Sequence, residues 1–336
     1  MDSIMGRSNS NQPGNLLLYS LISFRDIIEP ILTLSRPGSV CEIGVEKGLF
    51  TDFLIKYCTA SNCRYTGIDP SIEKDVMEKL PGEHVVFLKD RSIDALRTLE
   101  RHDIYFIDGD HNYYTVTNEL LLILKHPDRA PLIFLHDVGW PWGRRDQYCS
   151  PENIPTRYRR PSSSERGVAP GEENLQPEAG FRGAESDYGY AAAVKEGGPC
   201  NGVLTAVEDA IEETESDCKL IVVPAIFGLG ILYFPHACGP ELLQYLRRLS
   251  DSMSLLGNLM QQMETNRIDL FLQYLKHNKQ LVAKHDIYKS TESAYNDLLN
   301  QYHDLLQKYQ ELHGAYKDLF SAYEDLRAYC VHLEDR

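Results

Sequence analysis

From about residue 39 to residue 137, short apolar runs alternate with stretches that have the spacing of amphipathic helices. The apolar runs have the length and composition of buried strands; they are SVCEIG, CRYTGID, HVVFL, DIYFID and PLIFLHD. The helical stretches between them are 47–58, 71–80, 92–101 and 113–126. Alternating strands and helices form a parallel sheet with helices on both faces, because each crossover helix packs on the sheet. The alternation therefore predicts an α/β fold.

Three segments after residue 200 extend this pattern. GVLTAVEDAIEE (202–213) is predicted as a helix. KLIVVPA and FGLGILYF, within 219–234, are predicted as two strands separated by a turn that contains Pro and Gly. These strands complete a Rossmann-like, mostly parallel sheet of seven strands with helices on both faces.

Acidic and imidazole side chains follow two of the predicted strands at the point where the apolar run ends. The fourth strand is followed by Asp108, Asp110 and His111, and the fifth ends in His136 and Asp137. Because the carboxyl ends of parallel strands open onto one crevice, we expect these five side chains to converge. Carboxylates and imidazoles gathered there suit a hard divalent metal and a general base. Helix capping combined with an ion-pair network is the alternative interpretation.

The first predicted strand ends in a glycine-containing turn, Glu42-Ile43-Gly44-Val45-Glu46-Lys47-Gly48. A glycine directly after a buried strand lets the backbone approach a ligand closely, and Gly48 relieves crowding where the next helix begins. The turn lacks the GxGxxG spacing of nicotinamide binders and the GxxxxGK[ST] pattern of a P-loop. A tight turn without a ligand stays open as an alternative.

Asp69 ends the second predicted strand, about 20 residues beyond the glycine turn. An acid at this point of the sheet accepts hydrogen bonds from the two hydroxyls of a ribose. The alternative is that Asp69 caps the helix that follows Ser71. Together, the turn and the acid predict a nucleotide-type site.

Both tryptophans of the chain, Trp140 and Trp142, lie just beyond the fifth strand. We expect them to form an apolar wall for an acceptor ring. The same region is rich in arginine, whose planar guanidinium suits phosphate or carboxylate groups on an acceptor; these arginines are Arg144, Arg145, Arg157, Arg159 and Arg160. An ordinary solvated loop is the alternative interpretation of this cluster.

Composition changes divide the 336-residue chain into several parts. Residues 1–14 are predicted as a flexible tail and residues 15–235 as one α/β domain. Within that domain, residues 143–202 are rich in Arg, Pro, Ser, Gly and Glu, and we expect an inserted active-site cover that is disordered in part around 162–185. Residues 236–273 are predicted as a helical connector.

A strict seven-residue repeat occupies the last part of the chain, 274–336. Two apolar series are offset by three residues, which is the a/d spacing of a coiled coil; they are Tyr295, Tyr302, Tyr309, Tyr316 and Tyr323, and Leu298, Leu305, Leu312, Leu319, Leu326 and Leu333. The repeat predicts association with partner helices, and a homo-oligomer is the expected result. A single helix folded back on the domain is the alternative.

The composition excludes some classes of function. The net charge of −15 argues against nucleic-acid binding, which needs basic surface to neutralise phosphates. The longest early apolar run, LLLYSLISF, is too short to span a bilayer, so no membrane span is expected. The eight cysteines show no CxxC pairing, which favours a reducing, cytoplasmic compartment.

Four elements together carry a family resemblance: the ExGxxxG turn, a strand that ends GID, IDGDHxY, and a strand that ends HDV. Over about residues 15–235 the chain resembles class I S-adenosylmethionine-dependent methyltransferases. The nearest likeness is to the branch that contains the macrocin and mycinamicin sugar O-methyltransferases and the cephalosporin-hydroxylase-like proteins. The resemblance implies O-methylation of a hydroxyl on a sugar or glycosylated small molecule, with S-adenosylmethionine and Mg²⁺ as cofactors.

The resemblance also implies roles for individual residues. Asp108 and Asp137 would bind the metal, and His111 would be the general base. His136 stands where the macrolide-sugar enzymes carry an acid, so it is open whether His136 binds the metal, acts as a base or supports Asp137. Cofactor binding is implied for residues of the first four strand ends: Glu42, Gly44, Gly48, Asp69, Ser92 and Asp108.

Two other classes of function remain as alternatives. One is a non-catalytic assembly protein that keeps a degenerate methyltransferase fold and acts through its coiled coil. The other is metal-dependent hydroxylase-type chemistry on the same fold, with iron bound by His111, His136 and Asp137.

Overall fold

The computed structural model describes residues 20–72, 74–79, 84–125, 131–177, 179–186 and 189–334. The predicted tail, 1–14, lies outside the described residues. The chain divides into two compact units, Met1–Leu272 and Gln273–Arg336.

A seven-stranded sheet forms the centre of the first unit. In spatial order its strands are β3 (Val85–Leu88), β2 (Arg64–Ile68), β1 (Ser39–Ile43), β4 (Ile104–Ile107), β5 (Leu132–His136), β10 (Leu229–Tyr233) and β9 (Lys219–Val223). Strand β10 pairs antiparallel with both of its neighbours, and the other pairings are parallel. The predicted fold class, a Rossmann-like and mostly parallel seven-stranded sheet followed by a long helix, is confirmed.

Helices cover both faces of this sheet and bury its apolar side chains. On one face, α1 (Arg25–Ser35), α2 (Leu49–Ser61) and the first turns of α7 (Pro240–Glu334) enclose a core that includes Phe106 and Phe134. On the other face, α5 (Tyr113–Leu124) and α6 (Val203–Glu213) pack on Tyr105 and Ile133, with the short α4 (Ser92–Leu96) beside α5. The one-turn α3 (Lys74–Lys79) lies between β2 and β3 in the chain. Successive side chains of a strand point to opposite faces of the sheet, and both faces of β4 and β5 are apolar, so a core forms on each side.

Strand register decides which residues meet at the carboxyl edge of the sheet. Ile43 of β1 pairs with Ile107 of β4, and Ile107 pairs with Leu135 of β5. The residues that follow these positions, Gly44, Asp108 and His136, therefore lie side by side at the same edge. This is the edge at which parallel α/β sheets bind their ligands.

The insertion after β5 contains a small sheet of its own. Strands β6 (Gln147–Tyr148) and β7 (Ser162–Ser163) both pair antiparallel with β8 (Ala191–Ala193), which lies between them. Isolated bridges such as Val168 with Phe181 add further order. The predicted insertion therefore has a folded base next to the sheet edge.

Helix α7 has a different character in each unit. Within the first unit, its side chains Leu242, Leu246, Ile268 and Phe271 are buried. Within the second unit, every side chain from position 281 to position 328 is exposed. The last predicted leucine of the heptad series, Leu333, lies outside the described side chains. No helix among the described residues is both long and apolar enough to cross a bilayer.

Candidate active site

The turn after β1 lies directly against the turn after β4. Gly44 has a φ of 92°, and a Cβ added to it would lie 2.1 Å from the backbone oxygen of Asp108. The hydrogen bond from Asp108 N to Ile43 O, at 2.8 Å, holds this contact, and Gly44 N donates to Ile68 O of β2 at 2.9 Å. Both the backbone conformation and the close approach require glycine at this position.

Asp69 bridges this turn from the end of β2. Its Oδ2 accepts hydrogen bonds from the backbone N–H groups of Val45 and Glu46, each at 3.1 Å, and its Oδ1 accepts one from Ser71 N at 2.6 Å. Gly48, with a φ of 76°, then precedes α2. Each carboxylate oxygen has more than one lone pair, so Asp69 holds the turn and keeps acceptor capacity for a ligand.

Glu42 lies beneath the turn, in the interior of the fold. Its Oε2 accepts hydrogen bonds from Thr51 Oγ1 at 2.9 Å and from the hydroxyl of Tyr65. Burial raises the pKa of Glu42 to about 8, and the charges of Asp108 and Asp69 act in the same direction, although the two hydrogen bonds oppose them. Glu42 therefore supports the turn from below through a buried polar network.

Three side chains from two strand ends converge beside Gly44. Asp108, His111 and Asp137 each offer one metal-binding atom, and these atoms lie within 4.8 Å of one another. His111 Nδ1 is 3.1 Å from Asp137 Oδ2. Asn112 fixes the loop that carries His111, because its side chain caps α5 by accepting a hydrogen bond from Thr115 N at 2.9 Å.

His136 lies on the buried side of this group. Its Nδ1 is 3.0 Å from both Asp108 Oδ1 and Asp137 Oδ2, and the rings of Phe24 and Phe227 contact its imidazole. Burial by itself lowers the pKa of His136, but the two carboxylates outweigh it and raise this pKa well above its ordinary value. Its position suits support of the two carboxylates from behind.

Asp137 is the most constrained residue of the group. It has a φ of 62°, which is uncommon for a residue other than glycine, and it is buried. Burial by itself raises the pKa of Asp137, but His111 and His136 together hold it below its ordinary value. Its Oδ1 is buried and has no hydrogen-bond partner among the residues that the structure describes.

This donor set fits a divalent cation. Two carboxylates and one imidazole meet at one point, and Asp137 Oδ1 lacks a partner within the described chain. Mg²⁺ is commonly held by one or two carboxylates, with water and ligand oxygens in the remaining positions. Asp108 and Asp137 are therefore the residues that would hold it, with His111 beside them. Asp110 lies outside this group and accepts a hydrogen bond from Thr115 Oγ1 at 3.1 Å.

Ser92, the remaining predicted cofactor residue, begins α4 and faces Glu119 of α5. Burial raises the pKa of Glu119 to about 8, and the charge of Asp110 adds to this shift, whereas the nearby Ser92 side chain opposes it. Glu119 is fully buried. Glu119 was not predicted as a site residue, because it lies within an apolar helical stretch.

The predicted acceptor residues do not act as one group. The Trp140 ring is half-buried and contacts Phe181 of the insertion, at 5.9 Å between ring centroids. Trp142 is buried against Tyr190. Of these two aromatic contacts, the Trp140–Phe181 pair offers the more accessible apolar surface.

The arginines are engaged within the chain. Arg144 forms a two-pronged ion pair with Glu208, and Arg145 is fully buried with its guanidinium donating to the backbone oxygens of Ala193 and Glu173 at 2.6 and 2.8 Å. Arg159 and Arg160 also donate to backbone oxygens, and Arg157 lies over the ring of Tyr158. These contacts favour structural roles for most of the cluster and give no support to an anionic acceptor.

Sequence reasoning missed Asp146, which joins the insertion to the candidate site. Its buried carboxylate accepts hydrogen bonds from Tyr113 N, Gly202 N and the Tyr148 hydroxyl, each at 2.7 Å. The next residue along, Gln147, donates its backbone N–H to His111 O at 3.0 Å. Asp146 therefore fixes the start of α5, and with it the loop that carries His111. One acid within an arginine-rich run gave no signal of this role.

Comparisons with known proteins relate this fold to a protein family. A family model described as a methyltransferase domain matches residues 41–138, which is under a third of the chain. This segment contains β1 to β5 and the strand-end residues described above. No curated protein sequence matches the chain. The sheet topology and the matched segment give the chain a methyltransferase-like Rossmann fold.

Comparison with solved structures found several similar ones, all at low identity. SAH-bound methyltransferase PaMTH1 of Podospora anserina is 13% identical, with a TM-score of 0.36, over 61% of this chain and 75% of that protein. A putative O-methyltransferase from Klebsiella pneumoniae is 12% identical, with a TM-score of 0.37, over 63% and 79%. The MycE methyltransferase of the mycinamycin biosynthetic pathway, in complex with Mg and SAH, is 18% identical, with a TM-score of 0.30, over 34% of each chain. Identities and TM-scores this low assign no function to the chain, so its function is inferred from the residues of the candidate site.

The first prediction concerns Glu119. Because its folded-state pKa of about 8 lies above the ordinary 4.5, the folded chain binds an extra proton between these values, and stability falls as pH rises through that window. In Glu119→Gln, the difference between the free energies of unfolding at pH 5 and pH 8.5 is expected to shrink by on the order of a few kcal/mol. The measurement is urea unfolding at pH 5 and pH 8.5, followed by tryptophan fluorescence. Glu213→Gln, at an exposed residue, is the control; parallel curves for wild type and Glu119→Gln would refute the assignment.

The second prediction concerns Asp146. Asp146→Ala removes three buried hydrogen bonds and is expected to lower the free energy of unfolding by about 2–4 kcal/mol. Asp146→Asn keeps an oxygen for the two backbone N–H groups, and Tyr148→Phe removes a single bond, so each is expected to cost about 1 kcal/mol. Denaturant unfolding of the three variants measures the order. Equal stability of the Ala and Asn variants would contradict the role of the carboxylate.

Proposed function

We propose that this chain is an S-adenosylmethionine- and Mg²⁺-dependent O-methyltransferase that acts on a hydroxyl of a sugar or glycosylated small molecule. One observation carries the proposal. The contact between Gly44 and Asp108 brings the glycine turn of a methyltransferase-like fold directly against a group of two carboxylates and a histidine. A methyl-donor site and a hydroxyl-activating site would then share one edge of the sheet.

The cofactor would bind over the glycine turn. Gly44 has no side chain, so the backbone is open to close approach by a ligand. Asp69 lies beside the turn, and because its carboxylate already accepts three backbone N–H groups, it keeps about one lone-pair site for a ribose hydroxyl. Gly48 relieves steric crowding at the start of α2, and Glu42 supports the turn from below. Ser92 lies at the start of α4, near the end of β3, where the adenine would lie.

Asp108 and Asp137 would hold the cation. Bound Mg²⁺ would lower the pKa of a hydroxyl that it coordinates and fix that oxygen next to the methyl donor. Asp137 Oδ1 is the free acceptor that such an ion would use, and its Oδ2 is oriented by His111 and His136. We propose that His136 positions the two carboxylates, because its Nδ1 reaches both of them from the buried side.

His111 would accept the proton of the acceptor hydroxyl. A hydrogen bond from its Nδ1–H to Asp137 Oδ2 would fix the tautomer that leaves Nε2 as a proton acceptor. Its side chain is partly exposed, in contrast to the buried His136, so an acceptor can reach it. The proton would move from the hydroxyl oxygen to Nε2 as that oxygen accepts the methyl group. The methyl carbon–sulfur bond would break in the same step, with S-adenosylhomocysteine as the leaving group.

A neutral acceptor suits the surroundings better than an anionic one. The chain has a net charge of −15, and the arginines near the site are engaged in internal contacts. The half-buried Trp140 and its neighbour Phe181 offer an apolar surface for the carbon face of a ring. A sugar with two neighbouring hydroxyls supplies both the apolar face and the oxygen ligands.

An iron-dependent reaction is the second candidate. Its supporting observation is that the Nδ1 atoms of both His111 and His136 lie about 3 Å from the same oxygen of Asp137. Two imidazoles and one carboxylate bind Fe(II) in many oxygenases. The deep burial of His136 between Phe24 and Phe227 favours the magnesium interpretation, because it places His136 behind the carboxylates.

The test is calorimetric titration of S-adenosylhomocysteine and of Mg²⁺ into the full chain. We expect micromolar binding of S-adenosylhomocysteine at one site per chain. Gly44→Ala is expected to abolish it, because the added Cβ meets backbone at 2.1 Å. Asp137→Ala is expected to leave it within about threefold while removing Mg²⁺ binding. Wild-type chain that binds no S-adenosylhomocysteine, with or without Mg²⁺, would overturn the enzyme interpretation and favour a non-catalytic assembly protein.

Activity is then measured as methyl transfer to neutral methyl glycosides, with anionic nucleotide sugars as the comparison. Turnover is expected to need Mg²⁺, to be insensitive to added Fe(II), and to fall at least 100-fold in Asp137→Ala. Acceptors that lack one of two neighbouring hydroxyls are expected to be poor substrates. Turnover that requires iron and oxygen would instead establish the second candidate.

A further inference from the structure

A long apolar stripe is exposed along the second unit. We define it as the tyrosine–leucine stripe: Tyr295, Tyr302, Tyr309, Tyr316 and Tyr323 at the a positions, and Leu298, Leu305, Leu312, Leu319 and Leu326 at the d positions. Their exposure runs from 59% for Tyr302 to 71% for Leu312. Exposed apolar surface of this extent marks an interaction site.

A third apolar row adjoins the stripe. Leu299, Leu306 and Phe320 occupy e positions, which neighbour the a positions around the helix. The ring of Tyr316 stacks with that of Phe320 at 6.3 Å, and the ring of Tyr309 stacks with that of His313 at 6.1 Å. The a-position rings therefore lean towards the e row, and the apolar face is three positions wide.

The width of this face indicates more than two helices. A two-stranded coiled coil buries only the narrow a/d seam, whereas a face that also includes e is typical of helices that surround a wider core. The tyrosine at every a position also indicates more than two helices. Helices packed 8–10 Å apart leave little room for two such rings in one layer, and a core enclosed by three or more helices is wider.

The occupant that matches this face best is another copy of the same chain. Within residues 295–328, the e and g positions contain no acid, and their basic residues are Lys308 and Arg327. They therefore provide no pattern of opposite charges to select a different partner helix. The repeat is also uniform, so the same layers meet when copies associate.

The size and the charge of the stripe are consistent with stable association. Ten side chains that each leave on the order of 100 Å² uncovered expose roughly 1,000 Å², compared with about 800 Å² per partner in a standard interface. Five acids of the repeat occupy c positions and Glu324 occupies a b position, all away from the apolar face; the five are Asp297, Asp304, Glu311, Asp318 and Asp325. They would remain in water after association.

We propose that the unit Gln273–Arg336 joins three or more copies of this chain in a helical bundle, with the tyrosine–leucine stripe and the e row as its core. This proposal does not depend on the proposed enzymatic function. It goes beyond the a/d spacing, which by itself leaves the number of helices open.

The test is the mass of the full chain in solution, measured by light scattering after size-exclusion chromatography over a range of concentrations. We expect at least three times the chain mass of 38.3 kDa. A mass of one or two chains at micromolar concentration would overturn the proposal.

Variants connect the mass to the named rows. Leu305→Glu combined with Leu312→Glu is expected to reduce the mass to that of one chain. The matched control, Asn300→Glu with Gln307→Glu at f positions, adds the same charge on the opposite face and is expected to leave the mass unchanged. A Leu305/Leu312 variant that keeps the wild-type mass would contradict the role of the stripe. Tryptophan fluorescence checks the first unit, since both tryptophans lie there.

The e row is tested separately. A triple variant carries the substitutions Leu299→Gln, Leu306→Gln and Phe320→Gln. It leaves the a and d rows intact, so the apolar face of the helix is reduced to these two rows. We expect the mass to fall below that of three chains. A mass that stays at three or more would show that the e row is not part of the core.

Discussion

The candidate site depends on one backbone contact, the one between Gly44 and the turn that follows β4. Any side chain at position 44 would collide with the backbone of Asp108, and the φ of 92° disfavours every residue other than glycine. The hydrogen bond from Asp108 N to Ile43 O holds the two turns together. Strand register places the two turns side by side, and this contact brings the turn that Asp69 spans directly against the carboxylates at the ends of β4 and β5.

The charged residues at this edge of the sheet lower the stability of the fold, so a contribution to stability does not account for their presence. Asp137 and His136 are buried, and taking two charges out of water costs several kcal/mol per ion before their attraction offsets it. Asp137 also adopts a left-handed backbone conformation, which costs about 1 kcal/mol or more for a residue with a side chain. Strain and buried charge in the same residue, at the ligand-binding edge of the sheet, are typical of a functional site.

The sequence predicted the features that depend on local pattern and strand ends. The strands were recognisable because buried parallel strands are continuous apolar runs, and the convergence of Asp108, His111 and Asp137 followed from the parallel arrangement. The arginine-rich run was misleading in part, because the partners of Arg145 are backbone oxygens that no side-chain pattern reveals. Asp146 and Glu119 were missed for a related reason. Their importance comes from burial and from contacts with residues distant in sequence, such as Gly202 and Ser92.

The two units differ in how their apolar side chains are covered. In the first unit the period-two and helical patterns bury their apolar residues within the chain, so Phe106 and Phe134 stack at the centre of a closed core. In the second unit the seven-residue pattern leaves its tyrosines and leucines in contact with water. Most helical stability in proteins comes from packing of an apolar face, and pairs such as Gln307 with Glu311 contribute only a few tenths of a kcal/mol each. A helix with so regular an apolar face therefore gains its main stabilisation from whatever covers that face, and the uniform repeat makes copies of the same chain the best-matched cover.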